Sequence, residues 1–181
     1  MMAITILAIS GSLRRASSNS AVLKAAQALA PDGVTITIFE GLDRLPFFNP
    51  DDGPEKSPPS LVAFRAAVGG SDGLLISSPE YARGVPGVMK NALDWLVDGT
   101  EMLGKKVALI NTSPRATHAQ ESLKVTLATM ATKLVTEASI TLPLLGRNLD
   151  AAGILADPAL SAALSVAVSG LVRAIVEDRG A

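Results

Sequence analysis

Residues 3–19 read AITILAI followed by SGSLRRASSN, and this stretch decides the fold. Ala3 to Ile9 is an unbroken apolar and β-branched run, the pattern of a strand covered on both faces. Ser10 to Ser18 is a polar loop. Asn19 to Ala30 then carries Val22, Leu23, Ala26 and Leu29 at helical spacing, until Pro31-Asp32-Gly33 stops it. Val34 to Phe39 (VTITIF) follows as a second strand, so the chain opens with a strand–helix–strand unit.

The alternation continues outward from there. Ser60 to Val68 reads as a helix and Gly73 to Ser77 (GLLIS) as a buried strand. Gly87 to Val97 is a helix, with Lys90 four residues before Asp94, and Lys105 to Ile110 (KKVALI) is a strand. Ala119 to Thr132 is a further helix, Leu134 to Leu142 contains a short fifth strand, and Asp157-Pro158 opens a last helix to about Asp178. Gly41 to Pro59 holds five of the eleven prolines and reads as a loop long enough to be functional or mobile. This order predicts one α/β domain over residues 1–181: a doubly wound five-stranded parallel sheet, order 2-1-3-4-5, with helices on both faces. In that order the ligand crevice lies at the carboxyl ends of the strands, where strand 1 meets strand 3 with strand 4 beside them. The loops after strands 1, 3 and 4 are therefore the informative ones.

Composition narrows the chemistry. The 181 residues hold no Cys and one His, which excludes disulfides, thiolate metal sites, a thiol nucleophile and multi-histidine metal sites. A formal net charge of -1 speaks against nucleic acid or an anionic membrane as a partner, and 3% aromatics is too few for base-stacking platforms. No uninterrupted apolar run is long enough to span a bilayer, and the start lacks the basic region and cleavage site of a signal peptide, so a cytoplasmic location is expected. Hydrophobic content of 48% and a mean hydropathy of +0.36 predict apolar surface buried between subunits.

The loop after strand 1, Ser10 to Asn19, enters a helix and combines four serines with Arg14 and Arg15. Hydroxyls, guanidinium forks and the free N–H groups of a helix start make a phosphate site by composition. With Gly11 as its sole glycine it is neither the dinucleotide fingerprint nor a Walker A loop, and it suits a terminal monophosphate. The plainer alternative is a polar loop with Ser17 or Ser18 as N-cap. The loop after strand 3, Ser78 to Gly87, has two prolines, two glycines and the sole tyrosine, Tyr81; its irregular backbone can meet the polar edge of a flat heteroaromatic ring. The loop after strand 4 runs from Asn111 to His118, and His118 reads as a helix-start residue rather than a base.

Gly11 to Asn19 (GSLRRASSN), Ser78 to Leu96 (SPEYARGVPGVMKNALDWL) and Asn111 to Leu123 (NTSPRATHAQESL) resemble the three motifs of the NADPH-dependent FMN reductases, the flavodoxin-like group that includes chromate, quinone and azo-dye reductases. The resemblance implies bound FMN, with NADPH or NADH as hydride donor and a flavin, quinone, azo or chromate-type acceptor. By match to the first motif, Ser10, Ser12, Arg14, Ser17 and Asn19, with Ser18 nearby, would hold the phosphate and ribityl end. By match to the others, Pro79, Glu80, Tyr81 and Ala82 would line the isoalloxazine, with Ser113 on its other side. Arg83 and Arg115, at the crevice rim, are candidates for the NADPH 2′-phosphate. Many members carry Asn where this chain has Ala82, and Gly near Arg115. No catalytic side chain and no metal is expected, because the flavin carries the chemistry. The family also implies a homodimer or homotetramer; the third helix and the Ala/Leu/Val-rich last helix, Pro158 to Val176, are the candidate contact surfaces. Other readings are weaker. A flavodoxin-type carrier would show a more acidic face. A serine hydrolase built on Ser10 or Ser12 with His118 lacks the G-x-S-x-G elbow. An NAD-binding domain using Glu40 lacks the glycines.

Overall fold

The computed structural model describes residues 3–52 and 57–180. Three apolar runs form the centre of the sheet: β1 (Ile4–Ser10), β3 (Gly73–Ser77) and β4 (Lys106–Asn111). With β2 (Val34–Phe39) and β5 (Lys133–Leu134) they give the parallel order β2-β1-β3-β4-β5. Strand alternation divides their side chains between two cores. Ile6, Ala8, Leu75, Ala108 and Ile110 face α1 (Ser18–Ala28), α5 (Ala151–Ala156) and α6 (Pro158–Arg179). Leu7, Ile9, Leu74, Ile76, Val107 and Leu109 face α2 (Pro59–Gly69), α3 (Gly87–Asp94) and α4 (Thr117–Thr129). Each fully buried Leu or Ile contributes about 1.5–3 kcal/mol, which is why unbroken apolar runs are confined to these central strands.

The fifth strand differs from its expected form. It is two pieces on the same edge of β4: β5, and β6 (Ile140–Thr141), separated by a 3-10 turn at Thr136–Ala138. The turn presses Ala138 against Gly170 of α6, where a Cβ on the glycine would lie 3.5 Å from the alanine's. The edge bends to meet that helix rather than running straight. The chain from β6 to α6 also contains α5, for which no separate helix was expected. Among the described residues only α6 is long and apolar enough to cross a membrane by length and composition. Its stripe of Leu160, Leu164, Ala167, Leu171 and Ile175 is part of the core.

The long loop after β2 is pinned where it is described. Pro46 O accepts from Asn91 Nδ2 (2.9 Å) and Trp95 Nε1 (2.8 Å), and Phe48 N donates to Asn91 Oδ1 (2.8 Å). At the opposite end of the sheet from the loops of interest, Asp178 near the end of α6 pairs with Lys106 and Lys133 at the starts of β4 and β5. Hydrogen bonds from Lys106 and then Lys133 hold the Asp178 carboxyl down to about 2, from an ordinary 3.8. A folded-state pKa below the unfolded one stabilises above the unfolded value and is lost as pH falls toward the folded one. Asp178→Asn is expected to lower the urea midpoint at pH 6, and that difference from the parent should shrink steadily as the pH is taken from 5 toward 3. A difference independent of pH would remove the charge from this account.

Candidate functional site

Gly11 leaves β1 with its N–H on Ser77 O (2.9 Å), directly over the end of β3. A Cβ at this position would lie 2.2 Å from Ser78 Oγ and 2.9 Å from Ser78 Cβ, so the two chains approach this closely only because residue 11 is glycine. Just beyond, Asn19 is buried at 6% exposure, and its Oδ1 accepts from Ser77 Oγ (2.9 Å) and Thr112 Oγ1 (3.3 Å). One amide thus joins the first turn of α1 to β3 and to the loop after β4. The three loops consequently surround a single cleft of about 630 Å³.

The first loop supplies the donors. Ser17 is the N-cap of α1, its Oγ accepting from Ser20 N (3.3 Å), so the plainer reading of this serine holds; it also faces the cleft. The N–H groups of Ser18 and Asn19, at the helix start, have no acceptor within the helix. No acidic residue lies in the first turn of α1. Ser12, Arg14, Ser17, Ser18 and Asn19 all line the cleft, and so do Arg15 and Ser20. Ser10 does not line it; its hydroxyl sits 2.9 Å from that of Ser20 and supports it from behind.

The second loop brings Pro79, Glu80 and Tyr81 to the cleft. Glu80 has a task that the sequence concealed. Its Oε2 accepts from Ala119 N (2.9 Å) in the first turn of α4, whose own N-cap position is Ala116 and has no side chain to offer. Tyr81 and Gly84 exchange N–H···O bonds of 3.1 and 2.9 Å across Ala82 (φ 50°) and Arg83 (φ 60°). Two successive left-handed residues make this a type I′ hairpin, a turn that favours Asn-Gly. Ala82 and Arg83 form its exposed tip and do not line the cleft.

From the third loop Asn111, Thr112, Ser113, Arg115 and Ala116 line the cleft. Asn111 Oδ1 accepts from Ser113 N (3.1 Å) and Ser113 Oγ from Arg115 N (3.3 Å), which keeps the turn tight. A fourth wall was missed: Leu145, Gly146 and Asn148 to Ala151, on the segment that crosses from β6 to α5. Its start is fastened by Leu142 N on Asn111 O (2.8 Å) and Leu144 N on Thr112 O (3.1 Å). Lys24, on the flank of α1, was missed too. Helical spacing from Ser17 through Ser20 and Ala21 was the signal that would have found it.

The electrostatics are one-sided. Arg44, Arg65, Lys90, Lys105, Lys106, Lys133, Arg147 and Arg179 are all engaged by carboxylates or backbone carbonyls. Arg14, Arg15, Lys24, Arg83, Arg115, Lys124 and Arg173 have no such partner among the described residues, and of these Arg14, Arg15, Lys24 and Arg115 line the cleft. Of the carboxylates there, Glu80 is engaged by α4, and Asp150 accepts from Gly153 N (2.8 Å). Hydroxyls, a helix start and unpaired cations at one end suit a phosphate monoester. Pro79, Tyr81, Ala116 and Leu149 offer apolar surface to a flat ring.

The chain matches the model of the family described as NADPH-dependent FMN reductase over residues 4–143. It is 38% identical over 112 residues to the NAD(P)H-dependent FMN reductase PA1204 of Pseudomonas aeruginosa, covering 61% of this chain and 60% of that one. It is 42% identical over 97 residues to a 2-hydroxy-1,4-benzoquinone reductase of Burkholderia sp, covering 52% and 50%. The chain thus spans half to three-fifths of the length of these curated relatives. Among solved structures, the flavoenzyme NAD(P)H:(acceptor) oxidoreductase FerB of Paracoccus denitrificans superposes with a TM-score of 0.72 at 26% identity, over 94% of this chain and 98% of that one.

Glu80→Ala is expected to destabilise the protein by about 1 kcal/mol through loss of the α4 cap, read as a lower urea midpoint without added ligand. Glu80→Gln keeps an acceptor and should recover most of it. Equal losses in the two variants would show that the hydrogen bond is not the cause.

Proposed function

Because the chain belongs to the NADPH-dependent FMN reductase family, we propose that it is an FMN-dependent NAD(P)H oxidoreductase that passes two electrons to a quinone-type or related acceptor. One observation supports this above the others: the unpaired cations Arg14 and Arg15 precede the acid-free start of α1 in a cleft whose other walls suit a flat ring. When bound, FMN would supply the two-electron redox chemistry between nicotinamide and acceptor.

The side chains bind and orient. Arg14, Ser12, Ser17, Ser18 and the first N–H groups of α1 hold the phosphate and ribityl end, with Ser10 behind and Asn19 fixing the backbone. Pro79, Glu80 and Tyr81 on one wall and Ser113 on the other enclose the ring, Glu80 acting from the far side through the start of α4. Ala82 contributes only through the shape of its turn. No side chain is needed as nucleophile or general base, in keeping with a chain that has one His and no Cys. Arg83 on the exposed hairpin tip, outside the cleft lining, and Arg115 on the cleft wall are our candidates for the 2′-phosphate of NADPH. We read the protein as a cytoplasmic enzyme, where NAD(P)H is available, and as a homodimer or homotetramer. Exposed Val97 and Leu103 just after α3, and Val166 and Val176 on α6, support the oligomer.

The purified protein is expected to be yellow, or to become so with FMN, and to oxidise NAD(P)H with a quinone. A preparation that stays colourless and inert would refute the proposal. Arg14→Ala should weaken FMN binding about tenfold or more, the worth of a hydrogen bond to a charged group. For Arg83→Gly and Arg115→Ala, KM should rise for NADPH and stay level for NADH; parallel changes for both nucleotides would remove these arginines from the 2′-phosphate.

A further inference from the structure

Lys24 lies outside every motif that carries the family resemblance, yet it lines the cleft. Ser17, Ser20, Ala21 and Lys24 share one face of α1 at spacings of three and four residues, so the cleft runs along the flank of the helix instead of stopping at its N-cap. Helical side chains lean toward the amino terminus, which brings a lysine stem back over the turn that precedes it. For Lys24 that turn is Ser20–Ala21, next to the free N–H groups of Ser18 and Asn19. Opposite stand Asn148 to Ala151, part of the segment beyond the 4–143 family match.

Resting on the reading of the cleft as a flavin site, we infer that Lys24 is a further cationic contact for the terminal phosphate of the flavin, beyond Arg14 and Arg15. A phosphate monoester carries about -1.5 to -2 charges near neutral pH and three strongly accepting oxygens, enough to engage several cations at once. Lys24 has no carboxylate to satisfy it. In the cleft, the Asp150 carboxylate caps α5 through Oδ1 on Gly153 N and is not in a salt bridge with Lys24. The residue sets ligand class: it favours a flavin ending in a phosphate over the bare riboflavin that shares its ring.

The test is a titration of flavin-free protein with FMN, riboflavin and FAD, followed by flavin fluorescence at two salt concentrations. Lys24→Ala should weaken FMN about tenfold, leave riboflavin unchanged and flatten the salt dependence for FMN. Lys124→Ala, which removes an unpaired cation on α4 outside this cleft, should do neither. Equal FMN affinity in Lys24→Ala and parent, or an equal loss for FMN and riboflavin, overturns the inference while leaving the flavin site intact. FAD binding more tightly than FMN, in a manner that needs Lys24, overturns it in favour of a pyrophosphate along α1. A parent protein that binds none of the three overturns the reading of the cleft itself.

Discussion

A missing side chain is the constraint on which the cleft depends. β1 and β3 pair in register to their last residues, Ser10 and Ser77, and the chain must then turn out of the sheet on both strands at the same level. Only a glycine at residue 11 lets the first loop cross over Ser78. Once it has crossed, Asn19 arrives against Ser77 and Thr112, and three polar side chains close the gap with each other rather than with water. A buried amide without such partners would be costly. The same contacts that stabilise the floor of the cleft therefore set the positions of its three walls.

The second ordering principle is electrical. α1 and α4 both begin at the cleft, and neither has an acid in its own first turn. A helix start attracts negative charge. At α4 the Glu80 carboxylate already answers it, delivered from the opposite loop. At α1 the cap is the neutral Ser17 hydroxyl, and Arg14 and Arg15 just before it line the same cleft. One helix start is satisfied and the other left open, so a ligand with a single anionic end has one orientation that meets complementary charge. The overall charge of -1 hides this, because most other cations are paired on the outer surface.

The parts legible in the sequence are those that local pattern controls. β1, β3 and β4 are covered on both faces, and their unbroken apolar runs follow directly from that. The start of α1 was legible because helix starts favour serine, and Ser17 is the cap. The split between β5 and β6 was not, because two-residue strands have no period and the bend between them answers to α6, far along the chain. The partners of Asn19 lie 58 and 93 residues away, and the helix that Glu80 caps begins 37 residues after it. The wall from Leu145 to Ala151 follows neither a helical nor a strand pattern through most of its length. Its place beside α1 is set by where α6 packs on the sheet.

The hairpin at Tyr81–Gly84 is where local preference and tertiary need disagree most openly. A left-handed residue other than glycine costs roughly 1–2 kcal/mol, and here two stand in succession, Ala82 and Arg83. Asn-Gly would relieve both. The turn is held shut by its own pair of backbone bonds, by Glu80 on one side and by Pro86 leading into α3 on the other. Strain that the surroundings enforce accumulates where a particular geometry is useful. The alanine tip leaves Tyr81 at the cleft without a bulky neighbour, and the arginine places a guanidinium that glycine would not supply. The sequence departs from the easier turn at the two residues of an exposed tip, one step from the cleft wall at Tyr81.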